Sequence, residues 1–280
     1  MPHPATDPVS TASHPAGSRI ACCIEYDGRP YSGWQIQPQP HVTTVQAELE
    51  RALSKVADCD LRVHCAGRTD TGVHACGQLI HFDAPLERNL KAWVLGTNTH
   101  LPESIRVLWA VVVPAEFHAR FSALSRRYRY IISNTRVSPA LLHGQVTWQR
   151  RPLDVELMHV EAQSLLGERD FSSFRAASCQ STTAMRNVQR ITVSRRGPLV
   201  MIDIQANAFL HHMVRNIAGS LMAVGTGRQG RGWLADVLAL RDRNKAADTA
   251  SPHGLYLVRV EYPPEYALPE QPIGPLLMSS

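Results

Sequence analysis

The chain reads as an α+β protein built from two halves, each with the element order β-α-β-β-α-β. Three observations predict it. Short apolar runs bounded by turn residues read as strands, segments with apolar residues three and four apart read as helices, and their order occurs twice. The repeat is one of element order only; no residues repeat. That order is the ferredoxin-like unit. Two copies imply one large, mostly antiparallel sheet shared by the halves, with helices on one face and the other face free to form a cleft.

In the first half, the apolar run Arg19–Tyr26 is the opening strand. Thr43 then opens a helix, with Gln46 as capping-box partner and Val45, Leu49, Leu53 and Val56 along one face. Residues 61–66 and 78–82 are strands, 86–95 a helix, and the Val-rich run 105–113 the closing strand. In the second half, residues 127–133 form a strand and 155–166 a helix stopped by Gly167. Residues 188–194 and 199–205 pair across Arg195-Arg196-Gly197-Pro198. A helix over 209–224 carries Leu210, Val214, Ile217 and Leu221 on one face. A short helix over 233–240 and a strand over 255–262 complete the set. The chain then divides into a polar tail (1–17), a first half (18–118), a second half (119–262) and a Pro-rich tail (263–280). Both tails are expected to be disordered. The long connections 27–41, 114–124, 134–151 and 241–253 are expected to be functional.

Composition narrows the class. A chain of 280 residues with 44% hydrophobic and 19% charged residues is an ordinary globular protein. No apolar run approaches the ~20 residues that span a membrane, and residues 1–17 lack the apolar segment of a secretory signal. Six scattered cysteines without a CxxC pair suit free thiols in a reducing cytoplasm. The net charge of +5 is carried largely by arginine. Arginine alternates with tyrosine in Ser125-Arg126-Arg127-Tyr128-Arg129-Tyr130, a pattern that suits RNA, since guanidiniums pair with phosphates and rings stack on bases.

The most informative stretch is Gly67-Arg68-Thr69-Asp70-Thr71-Gly72-Val73-His74-Ala75. It places Asp70 in a tight turn between two apolar strands, with Arg68 two residues away. A carboxylate paired to a guanidinium stays ionised, which suits a nucleophile or base. Asp-Thr-Gly is also the triplet of aspartic proteases. Those need two carboxylates sharing one proton. The chain has no second copy, since Asp248-Thr249-Ala250 lacks the glycine; a symmetric dimer could supply one, but Arg68 opposes proton sharing. In His211-His212-Met213-Val214-Arg215-Asn216, Arg215 is a cation on an apolar helix and is expected to reach the anionic site around Asp70. His64, Cys65, His74, Cys76 and His81 lie close in sequence but match no compact zinc spacing. No GxGxxG follows a strand and no GxxxxGK[ST] occurs, so no nucleotide cofactor is expected.

Taken together, the chain resembles the TruA family of tRNA pseudouridine synthases. The likeness rests on Tyr26-Asp27-Gly28 with Ser32-Gly33-Trp34-Gln35, Thr44-Val45-Gln46 and Ala66-Gly67-Arg68-Thr69-Asp70 with Gly72-Val73-His74-Ala75. It continues through Phe117-His118-Ala119-Arg120-Phe121-Ser122-Ala123, Arg127-Tyr128-Arg129-Tyr130, Asp170-Phe171-Ser172-Ser173-Phe174, the segment 209–216 and Gly254-Leu255-Tyr256-Leu257. It spans residues 18–262 in the family's order. The resemblance implies that Asp70 is the catalytic aspartate, that Tyr128 stacks on the target uridine and that Arg215 pairs with the aspartate. It further implies that Arg68 enters the RNA as the nucleotide flips out. The implied substrate is nucleotides 38, 39 and 40 of the tRNA anticodon stem-loop, acted on by a homodimer without a cofactor. The chain departs from the family's Thr-Ala-Pro pattern at Thr249-Ala250-Ser251-Pro252.

Overall fold

The computed structural model describes residues 11–39, 41–270 and 272–275. The outer parts of both expected tails, 1–10 and 276–280, lie outside the described residues. The fold is α+β: ten strands in mostly antiparallel sheet, with five α-helices among the described residues. Two compact units emerge, one of residues 1–124 with 257–280 and one of 125–256. Residues 119–124 and 257–262, placed in the second half by element order, thus group with the first unit.

The first unit contains β1 (Ser13–His14), β2 (Arg19–Tyr26), α1 (Val45–Ala57), β3 (His64–Cys65), β4 (His74–Asp83), β5 (Arg88–Asn89), α2 (Thr97–His100) and β6 (Ile105–Val113). Strand β2 lies between β4 and β6 and is antiparallel to both. Its residues Ile20 to Ile24 are buried on both faces, which explains a continuous apolar run rather than an alternating one. Helix α1 seats Val45, Leu49 and Leu53 in the core. Its cap is Thr44, not Thr43: Thr44 Oγ1 accepts from Ala47 N at 3.3 Å. Gln46 makes no capping box. Its amide donates to Glu50 Oε1 at 2.9 Å and accepts from Ile36 N at 3.2 Å.

Two further elements of this unit differ from those expected. The strand over 61–66 shrinks to His64–Cys65, because side chains of α1 take the backbone donors before it. Leu61 N donates to Ser54 Oγ and Val63 N to Glu50 Oε1. The helix over 86–95 is instead β5 followed by a π-helical turn, Ala92–Gly96. Strand β5 is drawn into pairing with β1, inside the segment read as a tail, and Trp93 Nε1 donates to His14 Nε2 at 2.7 Å. At the other end, Tyr266 packs edge-on against Phe117, with ring centroids 5.0 Å apart.

The second unit contains β7 (Ser125–Ser133), β8 (Thr147–Trp148), α3 (Val155–Ala162), β9 (Gly167–Asp170), β10 (Met185–Arg196), β11 (Leu199–Ala206), α4 (Met213–Gly225) and α5 (Trp233–Leu240). Antiparallel pairing runs β7-β11-β10-β9, and the short β8 is parallel to β7. Val200, Ile202 and Ile204 on β11 are fully buried beside Ile132, Tyr130 and Tyr128. Helix α4 carries Val214, Ile217 and Leu221 of the expected stripe, but it begins at Met213, so Leu210, though buried, lies before it. The last strand, β12 (Leu255–Glu261), enters the first unit at Leu257. There Gly77 lets β4 approach it: a Cβ at Gly77 would lie 2.5 Å from Val258 O.

Candidate active site

Asp70 sits on a turn that the rest of the first unit immobilises. Val73 N donates to Asp70 O at 3.1 Å, closing the turn, and Gly72 occupies φ +76°. Thr69 is buried; its hydroxyl lies 2.7 Å from Tyr26 OH, and its carbonyl accepts from Trp34 N at 3.0 Å. Gln78, fully buried on β4, clasps Gly67, accepting from its N–H at 3.3 Å and donating to its carbonyl at 2.5 Å. The loop 27–34 forms the other wall, with Tyr31 and Trp34 buried.

Two glycines make this wall possible. A Cβ at Gly33 would lie 2.8 Å from Thr69 O, and its φ of +90° disfavours any L side chain. A Cβ at Gly28 would collide with Val73 O at 2.0 Å. Asp27 anchors the same loop. Burial raises its carboxyl, but hydrogen bonds from His74 and Arg29 outweigh that and hold it well below the usual range. His74, one of the residues weighed as a metal ligand, has Nδ1 3.2 Å from both Gly28 N and Asp27 Oδ1. It is a fastener of the loop. Tyr26, Gly28, Gly33 and Trp34 were quoted above as motif residues without a role; their signal was that they cluster in one loop.

Asp70 itself is half-buried, while Arg68 is exposed and makes no ion pair with Asp70 among the described residues. The expected pairing of Arg68 with the carboxylate is therefore corrected. Thr69, between them, is buried, while Arg68 is exposed to solvent.

In the second unit, Tyr128 is 8% exposed and meets Phe209 edge-on, with centroids 5.0 Å apart and planes at 83°. Tyr130 is fully buried. Its hydroxyl donates to Ser251 O at 2.9 Å and lies 2.5 Å from Thr147 Oγ1, a structural role. The arginines between them do not form a free basic face. Arg127 grips Asp203 with two bonds of 2.6 and 2.7 Å, and Arg129 adds a third at 3.0 Å. Arg215, on α4, donates from Nε to Ala250 O at 2.8 Å and accepts from Ala250 N through its own carbonyl. The departure at 249–251 thus lies against Arg215. Thr249 is fixed there as well, donating to Asn216 Oδ1 at 2.6 Å.

A half-exposed carboxylate on a turn held from several sides is what an acid–base or nucleophilic enzyme displays. Comparison with known proteins makes that class specific. Residues 22–122 and 162–263 match the family model described as tRNA pseudouridine synthase. The chain is 56% identical over 260 residues to "tRNA pseudouridine synthase A" of Legionella pneumophila (strain Corby), covering 93% of this chain and 98% of that one. The protein of the same name from Shewanella amazonensis is also 56% identical, over 93% of this chain and 99% of its own. That from Escherichia coli (strain SMS-3-5 / SECEC) is 55% identical over 271 residues, 97% of this chain and 100% of its own. The chain belongs to the tRNA pseudouridine synthase family, and its activity is the isomerisation of uridine to pseudouridine in tRNA.

Proposed function

We propose that the Asp70 carboxylate starts this isomerisation at nucleotides 38, 39 and 40 of the anticodon stem-loop. The observation that carries the reading is the immobilised, half-exposed Asp70 turn, within the segment that the family model matches. The reaction is a rearrangement without net oxidation. The bond from the uracil nitrogen to ribose breaks, the base rotates, a carbon–carbon bond forms through C5, and the C5 proton leaves as the nitrogen gains one. Such a reaction asks for one group acting at the sugar and one accepting the C5 proton. Asp70 supplies the first. Tyr128, on a buried strand with its ring steadied by Phe209, supplies a stacking surface for the flipped base and assists proton removal at C5. Arg215 acts as the cation for the catalytic carboxylate, and the outward Arg68 occupies the space in the RNA that the flipped nucleotide leaves. The protein works as a homodimer in the cytoplasm.

Release of tritium from C5 of uridine tests the position directly. Transcripts with uridine at 38, 39 and 40 release tritium, and transcripts with cytidine at all three release none. Release from the cytidine-bearing transcript would place the target elsewhere, and silence on every tRNA would remove the reading.

A further inference from the structure

Outside the Asp70 turn, the most exposed aromatic ring of the first unit is Phe121, at 76%. It stands on a turn built with unusual care. His118 N donates to Ser122 Oγ at 2.9 Å, and Ser122 N donates to His118 O at 2.9 Å. His118 Nδ1 accepts from both Arg120 N (3.1 Å) and Phe121 N (3.3 Å). The base of the turn is bolted inward: Phe117 is fully buried, Ala119 N donates to His81 Nδ1, and Tyr262 OH donates to Ala119 O at 2.6 Å. Five residues are fixed in this way so that Arg120 and Phe121 project outward.

The exposed pair has the chemistry of a base platform. The Phe121 ring lies 4.4 Å from the His118 ring, and the Arg120 guanidinium carbon is 5.5 Å from the Phe121 centroid. The ring is held in solvent by a turn whose backbone donors are already fixed, so its face is available without reorganisation. The platform adjoins the chain that leads into the Asp70 turn: the His118 ring lies 5.3 Å from that of His64, on β3. Arg62 and His64 are exposed close by in sequence.

We propose that Phe121, flanked by Arg120, is a stacking platform for an unpaired base of the tRNA next to the target nucleotide, with Arg120 on the adjoining phosphate. This rests on the reading of Asp70 as the centre of the reaction on tRNA. An aromatic face accepts any base, so the contact positions the loop without reading its sequence.

The test compares Phe121→Ala, Phe121→Leu and Phe121→Trp in binding an anticodon stem-loop RNA and in single-turnover tritium release. The ring is exposed, so all three fold; circular dichroism confirms it. Phe121→Ala and Phe121→Leu weaken RNA binding about 10-fold, whereas Phe121→Trp retains it, because stacking needs a ring rather than apolar bulk. Arg120→Ala lowers the dependence of binding on salt by nearly one unit of log–log slope, and Phe121→Ala leaves that slope unchanged. Binding of Phe121→Ala within 2-fold of wild type overturns the proposal. So does a change confined to oligomeric state, which would mark a protein contact. Inactive wild type on every tRNA would instead strike the reading of Asp70 and leave the binding comparison interpretable.

Discussion

Asp203 shows how far apart sequence and site can stand. The alternation Arg127-Tyr128-Arg129-Tyr130 is legible as one aromatic and one basic face, and the structure keeps that alternation. The meaning of the basic face was not legible, because the carboxylate that claims both guanidiniums is 74 and 76 residues away on β11. Asp203 is 1% exposed. Burial raises its carboxyl, and the hydrogen bonds from Arg127 and Arg129 outweigh that and hold it below the usual range. Removing its charge leaves Arg127, itself 9% exposed, without its counter-ion. Asp203→Asn is therefore expected to lower unfolding free energy by about 3–5 kcal/mol, read as a drop in the urea midpoint. A change under ~1 kcal/mol would show that the triad is solvated. By contrast, Asp70 was legible in one dimension, because its turn residues and flanking apolar runs are contiguous. That Arg68 stands exposed and, among the described residues, forms no ion pair with it was not, since the placement of side chains on a turn is set by the fold around it.

At the level of elements, β2, β6 and α5 run where the hydrophobic pattern puts them, because each seats its apolar residues in the core, among them Ile20 to Ile24 on β2, Ile105 and Val107 on β6, and Leu234 and Val237 on α5. The two elements that differ were decided by distant hydrogen bonds: Ser54 and Glu50 capture the donors before β3, and β1 recruits β5. The 27–34 loop carries a prediction of its own. Gly33→Ala forces a side chain onto φ +90° and against Thr69 O. It is expected to cost about 2 kcal/mol of stability and to reduce tritium release more than tRNA binding, because it displaces the Asp70 turn. Equal losses in both would argue against a positioning role.

The clustered rings of His64, His81 and His118, with centroids 4.6 to 5.3 Å apart, predict a pH effect. Burial, with the neighbouring His118, His64 and Arg19 charges, lowers the His81 pKa to about 4, while Asp83 opposes. Between pH 6.5 and about 4 the unfolded chain binds a proton that the folded one refuses, so stability falls as pH falls through that window. The slope from this residue approaches 1.4 kcal/mol per pH unit. His81→Gln should flatten the dependence of the urea midpoint over that range; an unchanged slope would assign it elsewhere.

For the whole molecule, the fold class was legible because element order survives even where boundaries move, and the assignment of 119–124 and 257–262 was not, because grouping depends on contacts rather than order. No described helix is long and apolar enough to cross a membrane, and the chain carries a net charge of +5. Binding of a polyanion by such a chain releases counterions. Raising salt from 50 to 200 mM should weaken tRNA binding by on the order of 100-fold, as for about five phosphate contacts. A flat salt response would mean that the arginines stay engaged within the protein, as Arg127 and Arg129 are.

Asp70 is proposed to perform chemistry and not merely to hold RNA. Single-turnover tritium release from C5-labelled tRNA, measured for wild type and Asp70→Asn beside their tRNA affinities, separates the two roles. Asp70→Asn is expected to release no tritium while binding tRNA within about 3-fold of wild type, since the substitution alters one charge-bearing group on a turn held by Thr69, Gly72 and Gln78. Release by Asp70→Asn within about 10-fold of the wild-type rate would contradict it.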